Sequence, residues 1–156
     1  LGNRELARRL EGALGLDRRQ WTFVGVCRGD QNRLAAKLFP PRVETDENVG
    51  FLRLESDRLV LRLEEATLEI RRGQIRDVRL EEVVEAPFLW WIRLEVYDEG
   101  EHLVSFLVMS REGHTLRQQR STNERLFEQI RDWHVTDKLR PLVEAGELSS
   151  TALDLE

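Results

Sequence analysis

The 156-residue chain has one cysteine, one methionine, one tyrosine and four prolines. With Cys27 as its lone thiol it can form no internal disulfide, which fits a reducing compartment and leaves stability to packing. No apolar run is long enough to cross a bilayer, and no secretory pattern is present. Lysine is nearly missing. Lys37 and Lys138 are the only two, and every other member of the 24 Lys and Arg is arginine. A GC-rich coding sequence accounts for that bias better than an arginine-specific role. Surplus positive charge is lacking too: the net charge is −5 and the pI about 5.4. This argues against a sequence-independent nucleic-acid binder, which needs a positive face, and against electrostatic docking on anionic lipid. A glycine-rich phosphate loop, HExxH, an EF-hand spacing and a nucleophile elbow are all absent, so no enzyme, cofactor or metal is expected. The chain opens on Leu1, not Met. A processed product or a piece of something longer is expected, cytoplasmic or the cytoplasmic part of a membrane-anchored protein.

What is present is pattern. An apolar share of 40% against 34% charged residues of both signs suits one globular domain with flanking elements. Residues 1–20 read as an amphipathic N-terminal segment, with a helix Asn3–Leu14 that places Leu6, Leu10 and Leu14 on one face. "WTFVGVCR" reads as a first strand, Trp21 to Arg28. From Gly29 to Val49 the signal is loop-like, with Pro40-Pro41 and an acidic run. Then "GFLRLESDRLVLRLEEATLEIRRGQIRDVRL" alternates apolar and charged residues through four strands, "FLRLES", "RLVLRLE", "TLEIR" and one that begins at Ile75, with turns at Ser56-Asp57 and Gly73. Ile75 is out of phase with Val78 and Leu80, which predicts a bulge. "WWIRLEVYDEGEHLVSFLVMS" is a hairpin turning at Gly100, its returning strand apolar on both faces. A short piece, "TLRQQ", follows Gly113.

Beyond it the period becomes helical. Leu126, Phe127, Ile130 and Trp133 share a face, and Ser121 with Glu124 makes a capping box, so a helix is predicted over 122–133. Residues 135–156 read as a short helix with Pro141 in its first turn and then a frayed tail.

A run of about seven short antiparallel strands followed by one capped helix resembles the PH-like superfold, in particular the bacterial PH and GRAM-like domains. The residues that carry the resemblance are "GFLRLESDRLVLRLE", "TLEIRRGQIRDVRLEEV", "WIRLEVYD…HLVSFLVMS" and "NERLFEQIRDW". Ile70, Ile75 and Val78 occupy the strand-turn-strand positions often seen there. The resemblance implies a mainly β fold with flanking helices: an antiparallel barrel or sandwich over 21–134, closed by the C-terminal helix. It does not fix a function, because such domains serve several kinds of ligand.

Cys27 reads as a small buried hydrophobe rather than a nucleophile. Asp98, Glu99, Glu101 and His102 read as a solvated acidic turn rather than a metal site. Arg28, Arg33, Lys37 and Arg42 are weak candidates for a phosphate site, diluted by Asp30, Glu44, Asp46 and Glu47. The candidate interaction surface is Leu89, Trp91 and Tyr97. Alternation puts these three on the outer face of a strand whose Trp90, Ile92, Leu94 and Val96 point inward. Either the N-terminal helix or a partner must cover Trp91, and the helix is favoured. The expected function is a non-enzymatic PH-like module that binds protein or peptide or self-associates. The alternative is a small-molecule, lipid head-group or phosphate site at the barrel mouth. No nucleic acid is expected, nor membrane lipid. The barrel interior discriminates between the readings. Filled by Leu52, Leu61, Ile70, Leu94 and Leu107 it holds no ligand, whereas a pocket with several charged groups favours the alternative.

Overall fold

The computed structural model describes residues 3–28, 48–64, 66–83 and 86–144, with the backbone alone for 28, 83, 86–89 and 137–144. Helix α1 spans Asn3–Leu14 and one 3-10 turn Arg18–Gln20, after which the alternating segments become strands. These are β1 (Thr22–Arg28), β2 (Asn48–Leu54), β3 (Arg58–Leu63) and β4 (Thr67–Arg71), then β5 (Ile75–Val83), β6 (Ala86–Tyr97) and β7 (Leu103–Ser110). The chain ends its described part in helix α2, Leu116–Glu144.

All seven strands form one antiparallel sheet in the order β4-β3-β2-β1-β7-β6-β5. β4 and β5 are thus the two edges, yet a single 3-10 turn, Arg72–Gln74, joins them in the chain. The sheet must curl until its edges meet at that turn. They meet only there, since no ladder joins β4 to β5, and the curled sheet stays open. The bulge expected from the phase of Ile75 is present as a register shift between Ile75 and Asp77. It lets buried Ile75 and half-buried Val78 serve the same core. Gly50 faces Leu63 across the β2–β3 ladder so closely that a Cβ would come within 2.8 Å of Leu63 Cα.

The curl encloses the main core, built from Val24, Leu52, Leu61, Ile70, Leu94 and Phe106 with their inward neighbours. Leu107 does not belong to it. It pairs with Arg93 in the ladder and is only half-buried, while Phe106 and Val108 take the inward positions. A second, smaller core lies on the outer face. There Ala7 and Leu10 of α1 cover Trp21, Phe23, Phe51 and Val60. The helix therefore covers the face of β1–β3 and not Trp91, because those strands carry apolar residues at outward positions as well.

The C-terminal helix differs from its expected form. It starts at Leu116, so "TLRQQ" is its first turn and not a strand. It runs without a break past His134 through Pro141, where the sequence predicts a separate short helix. Ser121 is exposed in mid-helix. The working cap is Thr115, whose Oγ1 accepts from Gln118 N at 3.2 Å. Gln118 Oε1 in turn accepts from Thr115 N at 3.3 Å and His114 N at 2.9 Å. Thr115→Ala is therefore expected to cost about 1 kcal/mol, whereas Ser121→Ala stays within about 0.5 kcal/mol as an ordinary surface change. Chemical unfolding of the two variants side by side checks this; a larger loss at Ser121 would overturn the assignment.

Helix α2 packs on β5, β6 and β7. One stripe makes the contact. Asn123 is buried, its Oδ1 accepting from Ser110 N at 3.0 Å and its Nδ2 donating to Trp90 O at 2.8 Å. Leu126 and Ile130 enter the main core. Trp133 Nε1 donates to Glu55 O at 2.7 Å, and His134 Nε2 lies 2.7 Å from Ile75 O. No helix among the described residues is long and apolar enough to cross a membrane.

Candidate functional site

Curling brings β4 opposite the β6–β7 hairpin, and a cleft of about 1030 Å³ opens between them. Its floor is apolar: Leu68 and Ile70 from β4, Val96 from β6, Val104 and Phe106 from β7. These point inward because alternation sends Thr67, Glu69 and Arg71 of β4 outward, where they are exposed. No residue of α2 lines the cleft among the described residues. The helix closes the other side of the corner, with Arg72 stacked 4.5 Å over the Trp133 ring.

The rim is polar and rigid. Arg58 is gripped by Glu69 at 2.9 Å, Asp57 at 3.3 Å and Glu55 at 3.4 Å. The hydrogen bonds to Glu69 and Asp57, then their charges, raise its pKa above the usual guanidinium value. Gln74 locks the β4–β5 corner to β6, accepting from Arg71 N at 2.9 Å and donating to Tyr97 O at 3.2 Å. Across the mouth, Asp98 organises the hairpin turn. Its Oδ1 accepts from His102 N at 2.8 Å and Gly100 N at 2.9 Å, with His102 Nδ1 at 3.3 Å. Those bonds, the one from His102 N first, hold its carboxyl below the usual carboxylate range. Glu101 takes a φ of 62° to close the turn. Asp98 is thus committed to its own turn. Among the described residues no group of three His, Cys, Asp or Glu side chains is placed to hold a metal ion. Rim charges are four carboxylates (Asp57, Glu69, Asp98, Glu99) against two guanidiniums (Arg58, Arg71), a surplus of two negative charges.

Of the residues expected to form an interaction surface, Trp91 and Tyr97 lie in different surroundings. Tyr97 is 39% exposed and lines the cleft. Trp91 is half-buried on the outer face, opposite Glu81 in the β5–β6 ladder. Between them the outward positions are charged: Arg93 pairs with Glu81, and Arg79 with Glu95 at 2.7 Å. The apolar stripe is therefore cut by ion pairs. Leu89 lies in β6, but its side chain is outside the described residues, as is that of Arg28 at the end of β1. Arg33, Lys37 and Arg42 lie outside the described residues altogether.

Cys27 is partly buried, and burial pushes its thiol up to about 11, with Arg93 pulling weakly the other way. The thiolate is then a minor species at neutral pH, which makes Cys27 a poor nucleophile. A disulfide reagent such as Ellman's is expected to label Cys27 at least tenfold more slowly than a free thiol of ordinary pKa near 8.5; equal rates would refute this. Compared with known proteins, the chain matches no family model and none of the curated sequences.

Proposed function

We propose that the chain is a non-enzymatic, PH-like interaction module that takes an extended peptide segment along β4. The segment's apolar side chains enter the cleft and a basic residue meets the rim. The observation that carries this reading is the open corner. Among the described residues β4 is paired on one side only, and its inward side chains form the wall of an apolar-floored cleft. A strand with a free edge is a template for another extended chain, and alternate side chains of that chain then fall on the cleft side. The surplus negative charge of the rim favours a basic residue. The strand order and the helix over one side of the curled sheet support the PH-like assignment.

A second copy of this chain fits the edge less well. An antiparallel β4 pair centred on Glu69 sets that carboxylate against its own copy, and like charges directly opposite are destabilising. A small amphipathic molecule with a cationic group is the second reading, favoured by the six charged groups on the rim and by the cleft's volume of about 1030 Å³, just above the range of about 300–1,000 Å³ for such pockets. One experiment separates the two. Ten-residue peptides displayed on phage are selected on the intact chain, and the winners are assayed for binding and for hydrogen exchange at β4. Winners should alternate apolar residues, carry Lys or Arg, slow exchange of the β4 amides, and lose at least tenfold in affinity against a folded Leu68→Glu variant. Winners that bind Leu68→Glu equally well, or no winners, would overturn the peptide reading. A cationic small molecule that binds in the cleft without slowing β4 exchange would put the second reading in its place.

A further inference from the structure

Beside the small core under α1, where the helix meets the start of β1, lies a smaller groove of about 340 Å³ that neither reading uses. Its walls are α1, the start of β1, and the connection from β7 into α2. Arg4 and Arg8 stand one turn apart on α1, Arg18 closes one end, and Arg111 with Gly113 and His114 forms the opposite wall. Among the described residues, only Glu11 and Glu112 of the lining oppose these four guanidiniums. In a chain of net charge −5 this is a local reversal of sign.

The charges are not all free. Glu112 is already engaged: it pairs with Arg18, and its Oε1 accepts from Phe23 N at 2.9 Å. Arg18 is held in place as well, since its Nη1 donates to Trp21 O at 2.6 Å. That couple is a rigid, nearly neutral end wall. Arg4 and Arg8 are different. Neither makes an ion pair or hydrogen bond among the described residues. Arg111 is half-buried, and burial pulls its pKa below the usual guanidinium value.

We infer that this groove binds a phosphate monoester, with Arg4 and Arg8 as its principal ligands. Arg4 and Arg8 supply two guanidiniums without a partner among the described residues, and a phosphate monoester carries roughly 1.5 to 2 negative charges at neutral pH. Guanidinium forks match phosphate oxygens two at a time, and a phosphate has oxygens enough for two forks where a carboxylate has enough for one. The groove's volume is near the small end of ligand pockets, which run from about 300 Å³. It therefore accepts the phosphate and a compact group bonded to it, not a long polyanion. The groove is separate from the β4 cleft: the two share no lining residue.

Titration of the intact chain with glycerol 3-phosphate, followed by amide NMR, tests the inference. Saturable shifts are expected at Ala7, Phe23 and Gly113. The affinity should drop at least tenfold in Arg4→Gln/Arg8→Gln, and by less than twofold in Arg9→Gln, an exposed arginine of the same helix outside the groove. A parallel arm uses vesicles with and without phosphatidic acid, a lipid whose head group is itself a phosphate monoester. Binding to those vesicles that the double variant abolishes assigns a lipid source, and binding to glycerol 3-phosphate alone assigns a free one; both support the site. No saturable binding in either arm overturns it. Shifts confined to other residues, or equal weakening by Arg9→Gln, overturn it too. Because the three arginines are exposed, unchanged thermal melting of the variants separates lost binding from lost fold.

Discussion

Replacing Ile130 with alanine is expected to lower the unfolding free energy by about 2–5 kcal/mol, the range for an aliphatic side chain cut back in a close-packed core. Ile130 is fully buried and belongs to the main core together with Leu126, so it is the point where α2 holds the curled sheet. The loss should exceed the methylenes removed. The backbone on either side is pinned by Asn123 to β6 and β7, and by Trp133 and His134 to the β2–β3 turn and to β5. With both ends held, the helix cannot sink into the cavity, and relaxation is what usually reduces such costs. Glu128→Ala on the exposed side of the same turn is the control, expected within about 0.5 kcal/mol. Urea unfolding at fixed m-value reads both. A cost below about 1 kcal/mol for Ile130→Ala would mean that the helix is not the element that closes this fold.

The same helix shows where the sequence is legible and where it is not. Leu126, Phe127, Ile130 and Trp133 stand out because apolar residues at that spacing share a face in a helix and scatter over both faces of a strand. The start of the helix leaves no such mark. Leu116 is 64% exposed and its neighbours through Arg120 are polar, so the first turn shows no stripe at all. Ser121 and Glu124 then offer a false box further on. The true box, Thr115 with Gln118, has the right spacing and Gly113 before it. Asn123 and His134 carry no local sign of burial, since their partners are backbone carbonyls and amides that only the tertiary fold brings near.

The strands are legible for a simple reason. Alternation follows directly from the pleat, and even the bulge after Ile75 leaves its trace as a phase slip. The cleft leaves none. Leu68 and Phe106 line it from opposite sides, and nothing local in either strand records that the sheet curls without closing. The rim is half readable. "YDEGEH" has the composition of a solvated turn, and Asp98 does bind its own backbone there. That this turn faces β4 across a cleft is a property of the strand order. Trp91 misleads in the opposite direction. Its size suggests a contact surface, while Arg93 and Glu95 beside it divide the face it would share with Tyr97.

Replacing Phe51 with alanine is expected to cost about 3–5 kcal/mol, the range for a buried aromatic truncated to a methyl. Phe51 has no exposed surface although it faces outward from β2. Its ring meets Phe23 at 5.4 Å between centroids, tilted by 45°, and Arg18 lies 5.2 Å over it. Tilted aromatic pairs add about 0.5–1.5 kcal/mol beyond their area, so this ring anchors the small core under α1. Among the described residues, the helix is held to the sheet through its side chains, Ala7 and Leu10 foremost with Leu6 and Leu14 beside them. Loss of Phe51 should therefore release α1 before the main core melts, and two transitions should replace one. Deleting residues 1–15 should expose Trp21, Phe23 and Val60 together, a patch large enough to drive association. Trp91→Ala should do neither, since Trp91 is not part of the small core that α1 covers. Sedimentation and thermal unfolding of the wild type, Phe51→Ala, the deletion and Trp91→Ala give the answer. A deletion that stays monomeric with unchanged melting, or a Trp91→Ala variant that associates in its place, would show that α1 covers a different face of the sheet.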